Sequence, residues 1–141
     1  MAADLYNDAI LAEAKARHGH GRLQEPDVTV TCDNPLCGDR VTIDLDLDLA
    51  GARVAAFAQT TRGCVLTQAA ASVLGRHLAG ASAAELATAT AELRALLAGQ
   101  GATPAWRELA MFAPVQAVAS RHECVLLPFQ AAAEALAKGG T

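Results

Sequence analysis

Three cysteines and an aspartate are spaced along this chain so that only the folded domain can bring them together. Cys37 opens the turn Cys37-Gly38-Asp39, Cys64 follows Arg62-Gly63 at a strand-to-helix junction, and Cys124 falls in Arg121-His122-Glu123-Cys124 where the last helix should begin. Three thiolates and a carboxylate make a four-ligand set for a thiophilic ion such as zinc or iron. Glycine at 38 permits the backbone twist that aims Cys37 and Asp39 at one point. The plainer reading of that turn is a free cysteine beside an aspartate that satisfies local N–H groups. Cys64, at or just before a helix N-terminus, gains thiolate character from the helix dipole; read plainly, it is a small buried apolar residue. Arg121, three residues before Cys124, offers a cation that favours its thiolate.

Other polar residues have structural readings. Ser120-x-x-Glu123 has the form of a capping box. His122 is a candidate extra ligand, but a lone exposed histidine is the commoner case. Cys32 follows Val28 and Val30 on one strand face and reads as core packing. His18, His20 and His77 show no ligand spacing to a cysteine. Asp44, Asp46 and Asp48 alternate with apolar residues, which makes them a solvated strand face rather than a calcium site.

The elements that must position the site follow from hydrophobic periodicity. Leu5, Ile10, Leu11 and Ala14 predict a helix over 4–17, closed by Gly19 and Gly21. Residues 27–32 predict a β-branched strand, and Asn34-Pro35 a turn. Val41, Ile43, Leu45, Leu47 and Leu49 alternate with Thr42 and the three aspartates, predicting a half-buried antiparallel strand. Ala50-Gly51 turns the chain into a third strand over 53–59. After Cys64 the spacing becomes helical to about Gly80. Ser82 and Glu85 cap a second helix lined by Leu86, Leu93 and Leu97, with Gly99 closing it. Thr103-Pro104 predicts a helix to Phe112, stopped by Pro114. The last helix spans Ser120 or Arg121 to Ala137, with Pro128 predicting a kink or a late start. The sum is a single α+β domain over residues 1–141, a three-stranded antiparallel sheet packed by helices.

Bulk properties narrow the function. The 141 residues are 52% hydrophobic with a net charge of −4, enough for one real core. No Lys or Arg cluster suggests nucleic acid. No apolar run reaches membrane-spanning length, and the N-terminus lacks the form of a secretion signal. The expectation is a cytoplasmic protein, where four cysteines point to metal or sulfur chemistry rather than disulfides.

These residues carry a resemblance. Asn34-Pro35-Leu36-Cys37-Gly38-Asp39-Arg40 resembles the Asn-Pro-x-Cys-Gly-Asp segment of the U-type iron–sulfur cluster assembly scaffolds (IscU, SufU and the NifU N-terminal domain). Gly63-Cys64 through Ser72 resembles their Gly-Cys-x-x-x-x-Ala-Ser-Ala-Ser segment, and Arg121-x-x-Cys124-x-x-Leu127 the surroundings of their third cysteine. Leu5-Tyr6-x-x-x-Ile10-Leu11 also fits. The stretch between Cys64 and Cys124 is similar to the insertion of the SufU branch.

The resemblance implies site residues Cys37, Asp39, Cys64 and Cys124, and no role for Cys32. It implies a non-enzymatic scaffold that takes persulfide sulfur from a cysteine desulfurase, holds iron or a transient [2Fe–2S] cluster, and passes it to acceptor or carrier proteins. The SufU branch implies instead a zinc-dependent sulfur acceptor that stimulates the desulfurase, with Cys37 accepting sulfur and Arg121 assisting. A structural zinc domain that mediates protein contacts needs the same ligands. The chain departs from the family at three places. Glu123 stands where the IscU branch has a histidine, and Ala113-Pro114-Val115-Gln116 is an upstream, incomplete counterpart of the IscU chaperone segment. Thr61-Arg62-Gly63-Cys64 replaces Gly-x-Gly-Cys, bringing a charge close to the site. A carboxylate as fourth ligand is harder and more exchangeable than a thiolate, which suits a site that must release its cargo.

Overall fold

A computed structural model describes residues 7–48, 53–101 and 103–139. In chain order the elements are α1 (Asp8–Ala16), β1 (Val28–Asn34), β2 (Asp39–Leu47), β3 (Val54–Arg62), α2 (Val65–His77), α3 (Ala83–Leu97), 3₁₀ segments at Arg107–Ala117 and Ala119–Arg121, and α4 (His122–Gly139). The strands form an antiparallel meander in the order β1-β2-β3. This is the expected α+β architecture. Leu5, Tyr6, Leu49 and the Ala50-Gly51 turn lie outside the described residues.

The register explains the core. Val30 pairs with Ile43, and Cys32 with Val41. Partners across a ladder share a face, so Val30, Val41, Ile43 and Leu45 present one apolar surface, all buried. Helix α4 packs on β1 and β2, and α2 on β3. Small residues at Ala69, Ala70, Ala71 and Ser72 let α2 approach its neighbours closely. At Gly75 a Cβ would fall 2.1 Å from the His18 carbonyl oxygen, so only glycine admits the end of α1 there.

The opposite face differs from the wet surface expected for the three aspartates. Asp44 is 1% exposed. The backbone of Gly19 and Gly21 pairs with Gln59 at the β3 edge. To enter β1 at the far edge, the chain must then cross the sheet. On that path Arg22 Nε meets Asp44 Oδ2 at 2.6 Å, and the Leu23 N–H donates to the same oxygen at 3.1 Å. Thr29 donates to Oδ1 at 2.7 Å. Burial alone would raise the Asp44 carboxyl, but these donors hold it below its usual range. The Gly19–Gly21 backbone also covers part of the β3 edge that a three-stranded sheet would otherwise leave open.

Three further expectations are corrected. Residues 103–112 form no α-helix; the 3₁₀ segment starts at Arg107 and runs through Pro114 to Ala117, so the proline, which has no N–H to donate, does not end it. Helix α4 begins at His122 and continues through Pro128, so the late start does not occur. The Ser120–Glu123 capping box is absent: Ser120 sits in the short 3₁₀ turn, and Glu123 accepts from Gln130 Nε2 at 3.3 Å. By contrast Ser82 caps α3, accepting from the Glu85 N–H at 3.1 Å. Gly99, at φ +78°, closes α3 with paired bonds from Gly99 N–H to Leu96 and from Gln100 N–H to Ala95.

Candidate metal centre

The site forms where the β1–β2 hairpin tip meets the starts of α2 and α4. Asn34 organises the tip. Its carbonyl accepts from Cys37 N–H at 3.2 Å and Gly38 N–H at 2.8 Å, and its side-chain oxygen from Leu36 N–H at 3.3 Å. Gly38 takes φ +72°, the left-handed conformation that lets the chain turn back into β2. Cys37 is thereby exposed at the tip, beside a Leu36 that is 94% exposed. Asp39, the first residue of β2, points inward and is 2% exposed.

Asp39 is held by the start of α2. Cys64 is the N-cap residue, but its thiol makes no capping bond. Its amide instead donates to Asp39 Oδ1 at 3.2 Å, and Thr67 Oγ1 donates to Oδ2 at 3.0 Å. A carboxylate is favoured there by the positive end of the helix dipole. The adjacent Gly63 leaves it room, since a Cβ at that position would fall 2.4 Å from Asp39 Oδ1.

Cys124, the third residue of α4, is fully buried, with its Sγ 3.7 Å from Cys37 Sγ. Burial pushes the Cys124 thiol well above its ordinary value, and the neighbouring Cys64, Asp39 and Cys37 push the same way. A cation close to such groups favours their charged forms. Donor atoms of Cys37, Asp39 and Cys124 all lie within 4.8 Å of one another. Two sulfurs each about 2.3 Å from one tetrahedral ion stand roughly 3.8 Å apart, close to the spacing here. The residues present therefore fit a single thiophilic ion. Cys64 Sγ is not in that mutually close set and lies 3.4 Å from Thr67 Oγ1.

The remaining candidates separate clearly. Arg121 lines a groove with Asn34, Leu36, Cys37 and Glu123. His122 turns away, its Nε2 at 3.0 Å and 3.3 Å from the carbonyl oxygens of Val115 and Gln116. Arg62 pairs across from Arg40 and lines a hollow with Asp39 and Gly38. Cys32 packs against the core and donates to Glu134 Oε2 at 3.2 Å; burial, then Glu134, pushes its thiol up to about 11. The sequence reading missed Thr67 and the demand on Gly63. The signal for Thr67 was its place three residues after Cys64, one turn into the same helix.

Residues 5–119 match the NifU-like N-terminal domain. The chain belongs to that family. It is similar to the iron–sulfur cluster assembly scaffold protein IscU of Thermotoga maritima, 25% identical over 135 residues, covering 95% of this chain and 94% of that protein. Its fold superposes on the N-terminal part of a NifU-like protein from Brucella abortus with a TM-score of 0.89, 34% identity, and 99% and 96% of the two chains covered. A putative SUF-system scaffold from Fervidobacterium islandicum AW-1 shares the fold at a TM-score of 0.85 and 22% identity, over 94% and 96% of the chains. The family match ends before Cys124, whose place in the site rests on the geometry. No helix among the described residues is long and apolar enough to cross a membrane.

Proposed function

We propose that this member of the scaffold family accepts persulfide sulfur from a cysteine desulfurase on Cys37 and holds iron or a [2Fe–2S] cluster on Cys37, Asp39, Cys64 and Cys124 for delivery to acceptor proteins. The observation that carries this is the convergence of Cys37, Asp39 and Cys124, with Cys37 alone of the four cysteines exposed. Sulfur transfer is a thiolate exchange. The Cys37 thiolate attacks the terminal sulfur of the donor persulfide, the donor S–S bond breaks, and the donor cysteine leaves as thiolate. The new persulfide sits on Cys37 without net oxidation or reduction. The exposed Leu36 and the Arg121 groove flank that thiol, so a partner can reach it. Cys64 completes the set by rotation of its thiol away from Thr67.

A second reading is a zinc-dependent sulfur acceptor that stimulates the desulfurase without building a cluster. The single-ion sulfur spacing and the groove shared by Arg121 and Cys37 favour it. Bound zinc would hold the thiols as thiolates, and Arg121 would compensate charge when Cys37 is freed. Asp39, the one carboxylate of the set, is the exchangeable ligand in either case. The deciding experiment is metal and labile sulfide content of anaerobically purified protein, before and after incubation with a cysteine desulfurase, cysteine and ferrous iron. Two irons and two sulfides per chain establish the scaffold. One retained zinc, no cluster and a stimulated desulfurase establish the sulfur acceptor.

A further inference from the structure

The geometry points to Thr67 as a positioning residue of this site, holding the Asp39 carboxylate in ligating orientation and thereby setting how fast the site releases its ion. The inference rests on the metal-site reading above. Asp39 is 2% exposed, and the protein supplies a donor to each oxygen. A carboxylate oxygen has two lone pairs, so each oxygen keeps one for an ion while remaining bonded to α2. Of the two donors, the Cys64 amide belongs to the backbone. Thr67 is the only one of them that is a side chain, and it is itself fully buried.

The Thr67 hydroxyl has a single proton and two acceptors within reach, Asp39 Oδ2 at 3.0 Å and Cys64 Sγ at 3.4 Å. The charge-assisted bond to the carboxylate is the stronger. Thr67 therefore restrains the exchangeable ligand, while its oxygen still touches the one cysteine outside the close set. Outer-shell donors of this kind tune metal sites strongly, and their loss weakens binding about 10- to 100-fold. Freed from Thr67, the carboxylate loses its Oδ2 donor and swings away from the ion more often.

The test uses the full chain loaded with zinc, with release followed by a chromophoric chelator, and the cobalt-loaded protein, with d–d absorption reporting the ligand field. Thr67→Val is nearly isosteric and removes only the hydroxyl. It should release zinc about tenfold faster or more and shift the cobalt bands, while Thr67→Ser stays close to wild type. Because Thr67 acts through Asp39, Asp39→Ala with Thr67→Val should release zinc as Asp39→Ala alone does. If the valine variant does not melt cooperatively, Thr67→Ala serves in its place. Wild-type release and an unchanged cobalt spectrum in the hydroxyl-free variant overturn the proposal while leaving the metal site standing. Equal loss in Thr67→Ser, or an undiminished effect in the Asp39→Ala background, assigns the effect to packing and overturns it too. A wild-type chain that binds neither zinc nor cobalt overturns the metal-site reading, and this proposal with it.

Discussion

A thiol reacts only as fast as reagents reach it and as its thiolate is populated. Cys37 stands exposed on a turn, Cys124 is sealed beneath it with its thiol pushed up by burial, and Cys32 donates a hydrogen bond to Glu134 that, with burial, keeps it a thiol. Limited alkylation of metal-free protein at neutral pH, read by peptide mass spectrometry, should therefore label Cys37 well before Cys32 and Cys124; prior labelling of Cys124 contradicts the arrangement. Gly63 makes an equally local prediction. A Cβ placed 2.4 Å from Asp39 Oδ1 must displace either the carboxylate or the strand end, and overpacking of this kind costs about 1–3 kcal/mol. Gly63→Ala should lower the melting temperature and speed zinc release together. A variant that melts lower yet releases zinc at the wild-type rate would separate Gly63 from the site. At this scale the sequence displayed the ligand types but not their restraint, since Asp39, Gly63 and Thr67 meet only through the closed fold.

At the scale of elements, what was legible had a short period or a local cap. The alternation of Val41, Ile43 and Leu45 survives intact as β2, and Ser82 caps α3 as its spacing to Glu85 implies. Ser82→Ala should cost about 1 kcal/mol in denaturant unfolding while leaving zinc release unchanged, because α3 contributes no group to the site. What was not legible depended on partners distant in sequence. Asp44 reads as a solvated residue because β2 alternates. It is buried because residues 22 and 23 cross above it on their way from the β3 edge to β1. Thr103-Pro104 reads as the start of a helix to Phe112 that Pro114 stops, but residues 107–117 wind as 3₁₀ where Trp106 stacks on His77 at 4.8 Å and Glu108 holds the His77 ring at 2.6 Å. Ser120 had the right spacing to cap α4, but the turn that ends in Arg121 takes its place.

For the whole molecule, the question is whether the fold waits for its ion. A structural zinc domain collapses when the metal is removed, because metal binding is then part of the folding free energy. Here the order of the molecule is supplied well away from the cysteines. Buried Glu13 binds Ser72 at 2.7 Å and Arg76 at 2.8 Å, tying α1 to α2. Asp44 ties the crossing segment to β2, and Trp106 and Phe129 join the 3₁₀ region to α4. Asp39 too has a donor for each oxygen from the protein itself. Metal-free protein should therefore keep a cooperative thermal transition, lowered in midpoint but not abolished, and a non-cooperative melt would return the chain to the structural-zinc class. The same metal-free protein isolates a pH effect. Asp44 is held below its usual range in the folded state, so its contribution is complete above the unfolded carboxyl value of about 4 and is lost as pH falls through the folded one. The melting temperature should fall on that acid limb, and Asp44→Asn should lower it at neutral pH while flattening the acid dependence. An acid limb of unchanged steepness in Asp44→Asn would move the origin of the effect to other carboxylates and leave the crossing segment with only a packing role.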